Sequence, residues 1–377
     1  MTQTLLNLLA IAVPLAVGFA SLFAFTTWLE RKILARIQNR IGPNRISLPF
    51  TRFRRLFGLI QPAADGLKML AKEDIVPRDA DKLLHLLAPI LSLVPPMMVL
   101  CLLPLELPYA TAGMRALQAA ALDNAVLLFF AITSLNTLAV FMAGWASRNK
   151  YSLLGGMRAV AQMVSYEIPL VLSAAVVIMA AGGMNAQAIV EAQRAQWFIF
   201  TPWGLAAFLI FFIASLAETN RSPFDLPEAE SEIIAGYFTE YSGFKFALFF
   251  LGEYLAIFAV SGLAVTLFLG GGAGPWVAAY PALSCVWFLA KIFALIFVMI
   301  WLRGTLPRLR VDQLMGFAWK FLLPLSLLNL FVAAAALKLA KPWLSWPVGA
   351  LVLYGAAVAL SRSHRADAAP RTYSYAE

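Results

Sequence analysis

The sequence predicts an all-α, polytopic membrane protein, and three observations support this prediction. Of the 377 residues, 61% are hydrophobic and only 13% are charged. The mean hydropathy of +0.78 is too high for a soluble domain of this length. The apolar residues also gather into runs of about 20 residues, which is the length that an α-helix needs to cross a bilayer.

Nine such runs follow one another along the chain. They lie near residues 5–29, 83–105, 121–147, 159–181, 197–217, 244–269, 276–302, 317–340 and 343–361. The last run is the weakest, because Pro342 and Pro347 stand at its start. The first run has no basic residue before it and is long enough to span, so we expect a membrane helix there and no cleavable signal.

The charges of the connecting loops predict the orientation. Twelve, three and three Lys/Arg residues fall in loops 30–82, 148–158 and 303–316. The alternate loops are nearly free of them, with one, one and none in 106–120, 182–196 and 270–275. Since basic loops stay in the cytoplasm, we expect the N-terminus outside and these loops inside, in a bacterial inner membrane. The net charge of +9 reflects this topology and not nucleic-acid binding, for which no motif exists.

The few cysteine and histidine residues exclude several chemistries. Cys101 and Cys285 lie in apolar runs, and His85 and His364 are far apart, so no metal, haem or iron–sulfur site is predicted. The glycines at 270–274 lack the strand–helix context of a nucleotide-binding loop. If the chain serves redox chemistry, its electrons must arrive from another subunit.

The first basic loop contains an amphipathic segment. Apolar residues recur with helical spacing at Phe53, Leu56, Phe57, Ile60, Ala63, Ala64, Leu67, Leu70 and Ala71. Because Pro62 interrupts this pattern, we expect an interfacial helix that begins near Pro62. One interpretation is a simple basic anchor; the other is a portal where a lipid-soluble molecule leaves the bilayer past Arg31, Arg36 and Arg40.

An acidic segment stands between two apolar runs and opposes the basic bias of the chain. Its six acids, opposed by the single base Arg221, are Glu218, Asp225, Glu228, Glu230, Glu232 and Glu240. Carboxylates at a membrane helix junction are costly, which favours a use in proton or cation handling. Capping of a helix explains Asp225 and Glu228 alone.

Three further ionisable residues fall inside the predicted spans: Glu167, Glu253 and Lys291. Each costs a few kcal/mol at the bilayer centre unless it is paired or hydrated. They extend the acidic segment into a possible proton path, and the alternative is structural ion pairing, such as Glu253 with Lys291.

Several motifs resemble the quinone-site membrane subunit of respiratory complex I. They are ERK at 30–32, GPN at 42–44, QPAADGLK at 61–68, KED at 72–74, GWAS at 144–147, KYSLLG at 150–155, SYE at 165–167, AETNRSPFDLPEAE at 217–230, RGTLPR at 303–308 and DQLM at 312–315. The resemblance covers roughly residues 5–340, in order. It implies an eight-helix core in 1–340, followed by an additional helix and tail in 341–377.

The resemblance also implies roles. The chain would be a subunit of a proton-translocating NADH:quinone oxidoreductase, would bind quinone, and would carry no redox centre, with FMN and iron–sulfur clusters on partners. Those partners would be peripheral iron–sulfur subunits, small membrane subunits and antiporter-like subunits. Implied quinone-binding residues are Arg31, Arg36, Arg40, Asp65, Arg221, Asp225 and Arg303. Implied residues of the proton path are Glu167, Glu218, Glu228, Glu230, Glu232 and Glu253.

The chain departs from the family pattern in three places. The segment from Ile46 to Phe57 is longer and more basic than the usual link. The third span offers the uncharged Thr133, Ser134 and Asn136 where some members carry an acid, so one station of the path would be either absent or replaced by water. The ninth run is an addition.

Two other functional classes stay open from the sequence, besides a purely structural membrane adaptor. The first is a membrane anchor of an energy-converting hydrogenase, which has a related subunit. The second is a stand-alone proton or cation transporter, which the lack of an evident internal repeat disfavours.

Overall fold

A computed structural model describes residues 2–44, 57–100, 102–104, 122–226, 235–277, 279–280, 283–339 and 342–366, and every regular element within them is a helix. In chain order these begin with α1 Thr2–Ile37, α2 Gln61–Ala71, α3 Lys82–Leu100, α4 Ala125–Thr133, α5 Leu135–Ala146, α6 Lys150–Ala181 and α7 Ala186–Ala192. They continue with α8 Pro202–Glu218, α9 Gly243–Phe268, α10 Leu283–Thr305, α11 Val311–Phe317, α12 Leu323–Leu339 and α13 Pro342–Ala366.

The predicted class of polytopic, all-α membrane protein is confirmed. Among the described residues, six helical stretches are long and apolar enough to cross a membrane: Lys82–Leu100, Ala125–Ala146, Lys150–Ala181, Gly243–Phe268, Leu283–Thr305 and Val311–Lys338. Two shorter apolar helices, Pro202–Glu218 and Trp346–Arg362, occupy two more of the predicted spans. Helix α1, with 36 residues, covers the first predicted span.

Two of the predicted spans are irregular. The span 121–147 is divided at Ser134, where hydroxyl groups donate to nearby carbonyls: Thr133 to Phe130, Ser134 to Ala131 and Thr137 to Ser134, at 3.0, 3.0 and 2.6 Å. Such bonds compete with the helical ladder. The π-helical turn Ala318–Leu322 joins α11 to α12. Pro324 has no N–H for the carbonyl four residues earlier, which accounts for the widened turn.

The amphipathic helix begins where Pro62 predicts it, at Gln61. Most of the basic segment 46–57 lies outside the described residues. Two contacts tether the segment after α2 to the start of α9: the N–H of Ile75 donates to Ser242 Oγ at 2.9 Å, and Lys245 pairs with Asp74 at 2.8 Å.

The main core forms where α6, α8, α9, α10 and α12 pack together. Helices α3 and α9 approach closely at Gly252. A Cβ atom added at this position would lie only 2.6 Å from the carbonyl oxygen of Ser92. The hydroxyl of Tyr166 donates to the carbonyl of Leu314 at 2.9 Å and joins α6 to α11. These contacts position the buried polar groups described next.

Candidate functional site

A buried cluster of charges is centred on Glu30 in α1. This carboxylate is 5% exposed and accepts hydrogen bonds from Arg221 Nη1 at 3.2 Å, from Arg303 Nη1, and from the Tyr254 hydroxyl at 2.7 Å. The guanidinium of Arg221 also lies over the Tyr254 ring, 4.3 Å from its centroid. Burial of an isolated carboxylate would cost several kcal/mol, and the two guanidinium groups and the hydroxyl compensate this cost.

The cluster joins four parts of the chain. Glu30 comes from α1, Arg221 from the start of the acidic segment, Tyr254 from α9 and Arg303 from α10. A small cavity of about 20 Å³ adjoins these side chains and is otherwise mainly apolar, with Met299 and Ile300 in its wall. Arg221 and Arg303 are residues predicted from the sequence, whereas Glu30 and Tyr254 have no predicted role.

A larger pocket, of about 390 Å³, opens between α1, α2 and the start of α9. It is lined by Arg31, Asp65, Lys68, Met69, Lys72, Tyr241, Ser242, Gly243 and Phe246. Arg31 pairs with Asp65 at 2.5 Å, and Gln61 donates to the same carboxylate at 3.0 Å. The pocket therefore holds two predicted residues, and its volume lies in the range of ligand sites in proteins.

Arg36 and Arg40 lie apart from these two residues. Both are exposed at or just beyond the end of α1, and neither lines the small cavity or the larger pocket. Arg40 donates to the side chain of Gln38 at 2.8 Å.

The start of the acidic segment is folded back into the protein. Gln162 of α6 donates to the carbonyls of Ala217 and Phe224, both at 2.7 Å, and to Asn220 Oδ1 at 3.2 Å. Asp225 is buried and accepts a hydrogen bond from Arg308 at 3.2 Å. This network encloses residues 218–225 and holds Arg221 against Glu30.

The acids of the predicted path are not all described. Glu228, Glu230 and Glu232 lie outside the described residues. Glu218 is buried at the end of α8, and Glu167 is within electrostatic range of it. Glu253 is buried in α9 and accepts from the Tyr237 hydroxyl at 3.3 Å.

The suggested pairing of Glu253 with Lys291 is wrong. The ammonium group of Lys291 donates instead to the carbonyls of Leu269, Gly271 and Ala273 at 2.6 to 2.9 Å, and it lies over the ring of Trp197. These carbonyls belong to the glycine-rich turn after α9, so Lys291 closes this turn. Glu240 likewise has a structural contact, because Asn149 donates to it at 2.7 Å.

The sequence contained a signal for Glu30. It is an acid at the end of one apolar run, and Arg221 and Arg303 stand just after two other apolar runs. An acid in such a position needs a buried partner. Sequence spacing could not show that residues 30, 221, 254 and 303 meet.

Comparisons with known proteins agree with the motifs. The sequence profile of the family described as NADH dehydrogenase matches residues 9–334. The H subunit of the NADH-quinone oxidoreductase of Geobacillus kaustophilus is 48% identical over 337 residues, which are 87% of this chain and 93% of that protein. The protein of the same name from Dehalococcoides mccartyi strain CBDB1 is 49% identical over 313 residues, or 83% and 82%. An H subunit of the same oxidoreductase from Geobacter metallireducens is 46% identical over 321 residues, or 85% and 93%.

A profile match over most of the chain, and relatives with this identity and coverage, determine the family. The chain belongs to the family of the H subunits of NADH-quinone oxidoreductase, as a membrane subunit of that oxidoreductase complex.

Proposed function

We propose that this chain forms the quinone entry and much of the quinone cavity, and couples quinone reduction to proton translocation. One observation carries the proposal: two adjacent residues of α1 serve two different sites. Arg31 lines the open pocket beside α2, while Glu30 holds the buried cluster of Arg221, Tyr254 and Arg303. A quinone that enters at the pocket would meet this cluster as its first buried charged centre.

The open pocket suits an amphipathic ligand at the membrane surface. Met69 and Phe246 offer apolar contact, and Arg31 and Lys68 offer hydrogen-bond donors for a quinone carbonyl. Helix α2 is amphipathic and would lie in the headgroup plane, where a long apolar tail could remain in the bilayer.

The coupling step follows from the charge on the quinone. Two electrons from a partner's iron–sulfur cluster and two protons convert a quinone to a quinol. Negative charge that develops on the quinone oxygens would attract the guanidinium groups of Arg221 and Arg303 and weaken their hold on Glu30. Arg221 is three residues from Glu218 in the same buried segment, so its movement would change the surroundings of that carboxyl group.

Protons would then be exchanged among acids that titrate as a set. Glu218 and Glu167 are close enough to interact, and Glu253 lies on α9. We place Glu228, Glu230 and Glu232 on the same path because they continue the acidic segment. Asp225, held by Arg308, would anchor this segment beside the quinone cavity.

The assembly around the chain is part of the proposal. FMN and the iron–sulfur clusters would belong to peripheral subunits, and small membrane and antiporter-like subunits would continue the membrane arm. We place the basic loops in the cytoplasm and the complex in a bacterial inner membrane, with residues 1–340 as the core and 341–377 as an added helix and tail.

The relatives named above carry a quinone-linked name, which favours this proposal over a hydrogenase anchor or a stand-alone transporter. The test is photolabelling of the intact, native complex with a photoreactive quinone analogue. We expect label on peptides 28–31, 61–72 and 241–246, and excess quinone should suppress it. Inhibitor-sensitive NADH:quinone activity without any competed label on this chain would contradict the proposal.

A further inference from the structure

A second small cavity lies deeper in the helix bundle and touches none of the side chains around Glu30. Its volume is about 20 Å³, and it is enclosed by α3, α4, α5, α8 and α9. Three polar side chains line it, from Thr133, Asn136 and Glu218, and the rest of the wall is apolar. One water molecule needs roughly 10–15 Å³ and two to four polar partners, so the cavity meets both requirements.

Glu218 brings a buried carboxyl group to the wall of this cavity. The residue is 8% exposed, and its Oε2 atom has no hydrogen-bond partner among the described residues. A buried polar oxygen without a partner costs about 1–3 kcal/mol. Bound water is the usual partner for such atoms when the site is polar and roomy enough.

Asn136 and Thr133 provide complementary groups. The side-chain oxygen of Asn136 already accepts from Ser92 Oγ at 3.3 Å, which leaves the amide N–H groups as donors. The Thr133 hydroxyl donates to the carbonyl of Phe130 at 3.0 Å, which leaves its oxygen as an acceptor. A water between them could accept from Asn136 and donate to Thr133 and Glu218.

In the α3 wall of the cavity, no backbone N–H group of the lining residues can replace the side-chain donor of Asn136. Pro95 and Pro96 form that wall, and neither has an N–H group. On the α9 side the wall consists of Ala256, Ala259 and Val260, which have no polar side chain.

We propose that Thr133, Asn136 and Glu218 bind one water molecule, and that Asn136 is thereby a positioning residue for Glu218. The water solvates the carboxyl group in a fixed direction, so that Glu218 can carry either protonation state inside the bundle. This inference rests on the proposed place of Glu218 in the proton path, and it assigns a function to the break between α4 and α5.

The test uses the whole complex in membranes, with infrared difference spectra of quinone reduction and with NADH-driven proton uptake. The band of the Glu218 carboxyl group is the one that Glu218→Gln removes. In Asn136→Leu we expect this band at higher frequency, because the carboxyl group of Glu218 loses its hydrogen bond to the water. We also expect at least a fivefold lower rate of proton uptake. Asn136→Gln, which keeps an amide N–H donor at the cavity, should restore both.

Two further variants complete the design. Leu138→Val is the matched control, since Leu138 lies on the same helix as Asn136, is 49% exposed and does not line the cavity. It should leave band and rate unchanged. Thr133→Val changes the cavity wall with little change in volume, and it decides the question if Asn136→Leu fails to assemble.

The outcomes separate the two proposals. An unchanged band and rate in Asn136→Leu and Thr133→Val, while Glu218→Gln is inactive, would overturn the water site alone. Full rate and full proton translocation in Glu218→Gln would remove Glu218 from the proton path. The band position would then decide the water site by itself: a shift supports it, and no shift overturns it.

Discussion

The hydroxyl of Tyr254 donates to Glu30 Oε2 at 2.7 Å and thereby ties α9 to α1. The same ring lies under the guanidinium of Arg221, which also binds Glu30. Tyr254 therefore fixes both members of the ion pair, and its hydroxyl and its ring make separate contributions.

Replacement of Tyr254 by Phe should separate these contributions. The ring contact with Arg221 would remain, and Glu30 would lose one hydrogen bond. A hydrogen bond to a charged group contributes about 1.5–3 kcal/mol, so we expect NADH:quinone activity to fall by roughly tenfold or more. The control is Tyr280→Phe, because Tyr280 is 68% exposed. Equal activities of the two variants would show that the hydroxyl has no role.

Glu30→Gln should be more damaging. Arg221 and Arg303 would face a neutral amide in a buried place, and loss of one partner of a buried ion pair costs about 3–5 kcal/mol. We expect quinone reduction below that of Tyr254→Phe, at an unchanged rate of ferricyanide reduction by NADH, because the latter reaction needs only the partners. Glu191→Gln is the control, since Glu191 pairs with Arg194 on the surface. A fully active Glu30→Gln complex would contradict a role for the cluster.

Lys291→Met should affect stability and not chemistry. The change removes the donor for three carbonyls of the turn after α9, and each buried acceptor left unsatisfied costs about 1–3 kcal/mol. We expect a lower midpoint of thermal dissociation and an unchanged turnover per assembled complex. Lys338→Met, at an exposed position of α12, should change neither quantity.

Tyr241 predicts an effect of alkaline pH. It lies in the loop before α9, and burial raises the pKa of its phenol above the ordinary value of 10.0. The folded protein therefore binds more protons than the unfolded chain above pH 10, and stability falls as pH rises, by about 1.4 kcal/mol per unit at most. Tyr241→Phe should lose this dependence, so the melting temperatures of the two proteins should diverge only above pH 10. Parallel curves would refute the prediction.

The sequence was a good guide to those parts of the fold that depend on local pattern. Hydropathy predicted the membrane spans, and Pro62 predicted the start of α2. The break at Ser134 was missed, because three hydroxyl groups that bind nearby carbonyls decide it and hydropathy does not register them. The π turn before Leu323 was also missed, because hydropathy does not register a missing backbone N–H group, although Pro324 signals it.

Individual residues of the candidate site could be predicted, but the contacts between them could not. Arg221 and Arg303 were named from their motifs, but their shared partner Glu30 is 191 and 273 positions away. Pairing of Lys291 with Glu253 was only the alternative interpretation, suggested because both are ionisable residues within spans. The glycine-rich turn instead offers Lys291 three carbonyls. Such contacts depend on packing between distant helices, which sequence spacing does not encode.

The contact between Gly252 and the carbonyl of Ser92 limits how the bundle can move. The two backbones lie so close at Gly252 that a movement that narrows the gap meets backbone atoms, since no side chain is present to yield. We expect the two helices to move together at this crossing. We expect displacement during turnover at other contacts between helices, such as the one between α9 and α1, where the side chains of Tyr254 and Glu30 meet.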